Sequence, residues 1–178
     1  MFLTSVDYAF TADLESNWLP IRQELLGISP KSFVAWPEKF LYESGWNVFG
    51  LYAFGRKMNQ NCALCPETTR VVERIPDLVT AGFSWMEPGT HIKPHVGYTK
   101  AVLRCHLGLI VPEHCSLRVG SEERSWQEGK TLIFDDTTEH EAWNRSNDVR
   151  VVLLLDFKRP GGTAPVKAPG WIEQSIPS

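Results

Sequence analysis

The chain has 178 residues, of which 43% are hydrophobic, and its 18 basic and 21 acidic side chains give a formal net charge of −3. This length favours one domain, and this composition excludes disorder as a description of the whole chain. The small negative charge argues against nucleic acid or an anionic membrane as an electrostatic partner.

No targeting or membrane-spanning segment is expected from the sequence. The longest strongly apolar run, 151–155, is far shorter than the ~20 residues that a spanning helix needs. The first ten residues contain no basic side chain and include Asp7 within an apolar stretch, which is unlike a signal peptide. A cytoplasmic protein is the expectation.

The first 75 residues mix helical periodicity with aromatic-rich turns. Apolar residues recur at helical spacing over 14–26, and Gly27 is a suitable end for that helix. The segment 66–75 predicts a second helix, because it begins with a proline and another proline follows it. Between the two, the pattern over 46–52 predicts a strand.

The four cysteines favour thiols in a reducing compartment, because a chain of this length does not need disulfides to fold. Cys62 and Cys65 have the spacing of zinc ligands. No second close pair accompanies them, because Cys105 and Cys115 lie ten residues apart. Structural zinc is therefore the weaker alternative.

After residue 76 short apolar segments alternate with turn-forming residues, which is typical of a sandwich or barrel. The last residues, 161–178, have the composition of a surface tail. Strands are predicted near 80–86, 101–110, 116–119, 131–134, 140–144 and 149–157.

All five histidines lie between residues 91 and 140, within the predicted strands and turns. Alternation along 102–110 places Arg104, His106 and Gly108 on one face of a strand and apolar residues on the other. Such a polar face meets either solvent or an anion or metal. His140 opens one predicted strand, and Arg150 opens another, where its side chain points to the barrel mouth or to solvent.

Several blocks in this half of the chain form one ordered pattern. They are Pro88-Gly-Thr-His91, Pro94-His-Val-Gly97, Leu103-Arg-Cys-His-Leu-Gly-Leu109, Trp126-Gln-Glu-Gly-Lys130, Phe134-Asp-Asp136, Glu139-His-Glu-Ala-Trp143 and Arg150. This pattern resembles the aspartyl/asparaginyl β-hydroxylases, which are Fe(II)- and 2-oxoglutarate-dependent oxygenases. The resemblance covers about residues 40–160.

The resemblance implies a mainly β fold, the double-stranded β-helix (a jelly-roll or cupin-like barrel), with N-terminal helices packed outside. It implies one oxygenase domain over residues 1–178. In that domain, residues up to about 78 form a helical or mixed support, about 79–160 form the catalytic core, and 161–178 form the tail.

The resemblance also implies the iron ligands, His95 and His140. Neutral imidazoles suit Fe(II) and leave coordination positions for 2-oxoglutarate and O2. Most related oxygenases place a carboxylate ligand two residues after the first histidine, where this chain has Gly97. The resembled family lacks that carboxylate too, and water is taken to fill its place.

Four further residues are implied to bind the cosubstrate. Ser84 and Arg150 match the residues that hold its distal carboxylate, for which an Arg fork is well suited. His106 would face the carboxylate end at the metal. Arg104 would hold the cosubstrate or a substrate carboxylate, as a third catalytic residue beside the two histidines.

The expected reaction is hydroxylation of the β-carbon of an Asp- or Asn-like residue in a peptide or small molecule. Two alternatives remain open. An iron halogenase also lacks the carboxylate and holds chloride there. A non-catalytic jelly-roll binding module predicts the loss of at least one of His95, His106, His140 and Arg150, and all four are present.

Overall fold

The computed structural model describes residues 1–173. Its α-helices are α1 (Phe10–Ser16), α2 (Trp18–Gly27), α3 (Asn59–Leu64), α4 (Pro66–Val72) and α5 (Gly170–Glu173). Its strands are β1 (Phe2–Leu3), β2 (Val34–Ala35), β3 (Trp46–Ala53), β4 (Arg56–Lys57), β5 (Leu78–Met86), β6 (His91–His95), β7 (Val102–Ile110), β8 (Cys115–Val119), β9 (Glu122–Arg124), β10 (Thr131–Phe134), β11 (His140–Asn144) and β12 (Arg150–Lys158).

The strands form two antiparallel sheets. The major sheet has the order β1-β10-β7-β12-β5-β3-β2, with β4 paired to β3, and the minor sheet has the order β6-β11-β8-β9. Strands that are distant in sequence are neighbours in both sheets, which is the connectivity of a jelly roll. The predicted mainly β barrel is confirmed.

The major sheet is buried on both faces. Its outer face packs against the N-terminal helices in one apolar cluster, and its inner face meets the minor sheet in a second cluster. On β7, Leu103, Cys105, Leu107 and Leu109 belong to the outer cluster. The predicted alternation of β7 is therefore correct, and Arg104 and His106 face the barrel interior.

The predicted helix over 14–26 is instead two helices that meet at Asn17. Pro20 lies in the first turn of α2, where a proline starts a helix but would clash with a preceding turn. The Asn17 side chain donates a hydrogen bond to the Asp13 carbonyl at 2.7 Å and secures the junction. The second predicted helix ends at Val72 rather than at 75.

Several elements were not predicted, among them α3, α5, β1, β2, β4, β6 and β9. The β6 segment contains a proline and is flanked by turn-forming residues. It becomes a strand only by pairing with β11. The predicted tail is free of strands over 161–173, and residues 174–178 lie outside the described part of the chain.

Cys62 and Cys65 are buried beside α3 and α4. The Cys62 thiol donates to the Leu51 carbonyl at 3.3 Å, and burial raises the pKa of Cys65 to about 12. Both features are those of packed thiols. Among residues 1–173, no helix is both long and apolar enough to cross a bilayer.

Candidate active site

Two histidines face each other inside the barrel, on neighbouring strands of the minor sheet. His95 ends β6 and His140 begins β11, and their Cα atoms pair directly across the ladder. Their ring centroids are 4.2 Å apart. The Nδ1 atoms lie 2.7 Å from the Lys93 carbonyl and 2.9 Å from the Thr138 carbonyl, respectively. Because a carbonyl only accepts, each Nδ1 carries the hydrogen and each Nε2 presents a lone pair.

Both rings are held in the neutral form that metals require. Burial lowers the pKa of His140 to about 3, with a further contribution from His95, and burial also lowers the pKa of His95. Within residues 1–173, no three His, Cys, Asp or Glu side chains group as a metal-binding set. In that part of the chain the pair therefore offers two nitrogen ligands without a third.

The space beside Gly97 is filled by Asp136. A Cβ atom built on Gly97 would lie 2.2 Å from Asp136 Oδ2 and 2.5 Å from its Cγ. The Gly97 amide donates to the Asp136 carbonyl at 2.7 Å, which ties the two loops together. The volume that a side chain at residue 97 would need is thus taken by a carboxylate from another loop.

Asp136 is fully buried, and neither of its carboxylate oxygens has a hydrogen-bond partner within the described residues. Burial raises the pKa of Asp136 to about 6, against the opposing effect of Arg104. Buried carboxylates are normally satisfied, so this one is a functional candidate that the sequence reasoning missed. Its signal was the block Phe134-Asp-Asp136, to which no role was assigned.

His106 presents a hydrogen-bond donor to the barrel interior. The Trp126 indole, which can only donate, lies 3.0 Å from His106 Nδ1. Nδ1 is therefore the acceptor and Nε2 carries the hydrogen. Nε2 is buried and unpartnered in residues 1–173, and burial holds the pKa of His106 well below its usual range.

Arg150 is a buried guanidinium that lacks a carboxylate partner among the described residues. Its side chain is 2% exposed, Nη1 donates to the Ser84 carbonyl at 3.3 Å, and Nε has no partner there. Burial lowers the pKa of Arg150 to about 9. Ser84 Oγ accepts from the Trp46 indole at 3.0 Å, so its own hydrogen remains to be donated. An anion would satisfy all these donors.

Arg104 differs, because it already has a carboxylate. Its Nε and Nη2 donate to the two oxygens of Asp156 at 2.8 and 2.9 Å. Burial alone would lower the pKa of Arg104, but Asp156 raises it above its ordinary value. The pair lies across neighbouring strands, since Asp156 on β12 is directly opposite Arg104 on β7. Four of the predicted site residues lie near one another inside the barrel, because Arg150, Arg104 and His140 all contribute, after burial, to the lowered pKa of His106. The remaining histidines lie elsewhere: His91 pairs with Glu141 at the surface, and His114 lies in a turn.

A jelly-roll barrel that encloses a neutral histidine pair, and a buried arginine without a carboxylate partner in residues 1–173, defines this molecule as a cupin-like protein. A family model described as aspartyl/asparaginyl beta-hydroxylase matches residues 15–160, and the chain belongs to that family.

Two curated relatives illustrate the range of the family. The chain is 50% identical over 121 residues to an ornithine lipid ester-linked acyl 2-hydroxylase of Rhizobium tropici, covering 66% of this chain and 43% of the relative. It is 38% identical over 158 residues to the human aspartyl/asparaginyl beta-hydroxylase, covering 83% of this chain and 21% of the relative. The chain thus spans less than half the length of these relatives.

Among solved structures, a Pseudomonas putida prolyl-4-hydroxylase superposes with a TM-score of 0.54 at 14% identity. The match covers 85% of this chain and 100% of that one. At this identity the likeness concerns the fold, and it supports the barrel assignment.

Proposed function

We propose that this chain is an Fe(II)- and 2-oxoglutarate-dependent hydroxylase. The observation that carries the proposal is that the barrel holds two neutral imidazoles, whose hydrogens on Nδ1 leave the Nε2 lone pairs for a metal, and a buried guanidinium without a carboxylate partner in residues 1–173. The first group fits a metal ion and the second fits a carboxylate. A hydroxylase that uses a metal and a dicarboxylic cosubstrate needs both.

His95 and His140 would hold the iron. Their Nδ1 hydrogens are engaged by backbone carbonyls, which fixes the tautomer and the ring orientation and leaves both Nε2 lone pairs for the metal. When bound, the iron would supply oxygen activation coupled to the oxidation of 2-oxoglutarate. The protein would supply two ligands and would orient the bound groups.

Arg150 and Ser84 would bind the distal carboxylate of 2-oxoglutarate, and His106 would donate to the end nearer the metal. This assignment gives partners to His106 Nε2 and Arg150 Nε, which are buried and unpartnered within residues 1–173, and to the Ser84 hydroxyl hydrogen. A buried, unpaired guanidinium costs several kcal/mol of folding stability, and such a cost is usual where a ligand completes the pair.

Asp136 favours hydroxylation over halogenation. Its carboxylate occupies the volume where a residue-97 side chain would lie, so a chloride there would meet a negative charge at close range. Its pKa of about 6 leaves it mostly ionised at neutral pH. An anion beside Gly97 would therefore be disfavoured, whereas a neutral water molecule would not be.

The substrate that we propose is a methylene next to a carbonyl carbon. The β-carbon of an aspartyl or asparaginyl residue and carbon 2 of an ester-linked acyl chain, named in the two relatives, are both of this kind. An Asp- or Asn-like residue in a peptide or small molecule is one candidate. An acyl ester is the second, favoured because Asp156 already neutralises Arg104, the residue expected to hold a substrate carboxylate.

The test is an anaerobic titration of the purified chain with Fe(II) and 2-oxoglutarate, followed by exposure to O2. We expect 2-oxoglutarate to be consumed only when iron is present. Matched panels of Asp- or Asn-containing peptides and acyl esters would then be searched by mass spectrometry for one added oxygen atom. Deuterium at the carbon next to the carbonyl should slow product formation. Failure of the metal-loaded protein to bind 2-oxoglutarate would refute the proposal.

A further inference from the structure

Trp126 contacts both groups that are proposed to bind opposite ends of the cosubstrate. Its indole N–H donates to His106 Nδ1 at 3.0 Å, and the Arg150 guanidinium carbon lies 4.6 Å from the centroid of its ring. The side chain is 3% exposed. One indole therefore joins the two donors by two different parts of its structure.

The hydrogen bond from Trp126 selects the tautomer of His106. An indole N–H cannot accept, so Nδ1 must present its lone pair and Nε2 must carry the hydrogen. Without this donor the neutral ring is free to place its hydrogen on either nitrogen. A hydrogen on Nδ1 would turn the Nε2 lone pair towards a bound carboxylate, which would repel it rather than bind it.

The face of the same indole supports Arg150. A cation over a tryptophan ring is attracted by its π electrons, and the attraction is strongest where water is excluded. For Arg150 this is significant because no ion pair balances its charge within residues 1–173. The ring keeps the guanidinium oriented while Nε remains unpartnered.

A close contact between β7 and the loop that carries Trp126 holds this side chain in place. A Cβ on Gly108 would lie 2.2 Å from the Gln127 carbonyl oxygen, so only glycine lets this loop lie against the strand. The Gly108 amide donates to the Lys130 carbonyl at 3.0 Å, and the Gly108 carbonyl accepts from the Gly129 amide at 2.9 Å. The loop is thus attached two residues from His106, on the same strand.

We propose that Trp126 is a positioning residue that fixes His106 in its Nε2–H tautomer and orients Arg150, and so builds both ends of the anion site before the ligand arrives. The part that concerns affinity for 2-oxoglutarate rests on the proposed function. The part that concerns the tautomer does not, because it is a property of the ligand-free protein.

The tautomer is tested by 15N NMR of histidine side chains in the metal-free and ligand-free protein. We expect His106 in the wild type to show one protonated nitrogen, Nε2, and one hydrogen-bonded acceptor, Nδ1. Trp126→Phe keeps a ring face and removes the N–H, and both nitrogens should move to the averaged shifts of exchanging tautomers. The control is Trp85→Phe, which removes an indole N–H that donates to Glu87 at 2.8 Å on the other face of the sheet.

Affinity for 2-oxoglutarate, measured by calorimetry on the Mn(II)-loaded protein, separates the two roles. Trp126→Phe should weaken binding about twofold to fivefold, because only the fraction of the neutral His106 ring that carries its hydrogen on Nε2 can then donate to the ligand. Trp126→Leu, which also removes the ring face, should weaken it several-fold further. In a His106→Gln background, Trp126→Phe should have little additional effect, because its partner is gone.

The outcomes are distinguishable. If the wild type fails to bind 2-oxoglutarate but the tautomer responds as described, the proposed function is wrong and the positioning role stands. If Trp126→Phe leaves the two nitrogen shifts and the affinity as in the wild type, the positioning role is overturned. A Trp126→Phe effect of equal size with and without His106 would overturn it too, since Trp126 would then act through general packing.

Discussion

Replacing Gly97 by alanine should destabilise the protein through a single contact. The added Cβ would lie 2.2, 2.5 and 2.8 Å from three atoms of the Asp136 carboxyl group. These distances are shorter than carbon and oxygen atoms tolerate, so one of the two loops must shift. Gly97 is not among the glycines with positive φ, so its backbone suits other residues and the cost is purely steric.

The magnitude follows from the cost of overpacking a buried site, about 1–3 kcal/mol. For a chain of this length that corresponds to a fall in Tm of roughly 2–12 °C. Guanidinium-induced unfolding of the metal-free protein measures the change in the free energy of unfolding, and a thermal scan measures the change in Tm. The matched control is Gly27→Ala, because a Cβ on Gly27 meets no atom within 4 Å. Gly27→Ala should be neutral or slightly stabilising at the end of α2.

Removing the other partner should relieve the clash. In Gly97→Ala combined with Asp136→Ala, the destabilisation caused by the alanine at 97 should largely disappear, with a coupling free energy of about 1–3 kcal/mol. Additive effects, or Gly97→Ala behaving like Gly27→Ala, would refute the placement of Asp136 beside Gly97. The repulsion of an anion beside Gly97, which favours hydroxylation over halogenation, would then lose its basis.

Three further predictions concern the site. His95→Ala and His140→Ala should each abolish iron-dependent turnover while far-UV circular dichroism stays unchanged; retained iron affinity in either would contradict the ligand assignment. Arg150→Met should abolish 2-oxoglutarate binding yet stabilise the ligand-free protein by about 1–4 kcal/mol, because it removes an unpaired buried charge. A lower free energy of unfolding for the variant than for the wild type would instead indicate a structural arginine. The folded-state pKa of Asp136, about 6, lies above its usual 3.8. Its protonated form therefore favours folding at low pH, and this contribution is lost as pH rises through about 6. Relative to Asp136→Asn, the wild type should lose up to about 3 kcal/mol between about pH 4 and about pH 7.

The parts of the site that lie on one strand were predictable from the sequence. Alternation along β7 placed Arg104 and His106 on one face, and the structure turns that face towards the barrel interior. The N-terminal helix was misjudged because apolar spacing continues through Asn17, whereas Pro20 imposes a new start. The helical spacing of apolar residues alone does not reveal that one helix ends and another begins there.

The partners of these side chains were not predictable, because they come from distant parts of the chain. Asp156 lies 52 residues from Arg104, and only the register of β12 against β7 brings them together. Asp136 reaches Gly97 from another loop, and Trp126 reaches His106 through a loop that Gly108 admits. Each contact depends on tertiary packing, which local patterns do not encode.

Because the major sheet separates two apolar clusters, alternate residues of its central strands have different roles: one set packs under the helices and the other lines the barrel. Along β12 the odd-numbered positions from Val151 to Phe157 pack under the helices, and the even-numbered ones from Arg150 to Asp156 line the barrel. A scan of all substitutions, scored once for cellular abundance and once for turnover, should therefore give two profiles that alternate residue by residue. Substitutions on the face that packs under the helices can therefore change the stability of the protein, while the residues that line the barrel on the opposite face of the same strand stay unchanged.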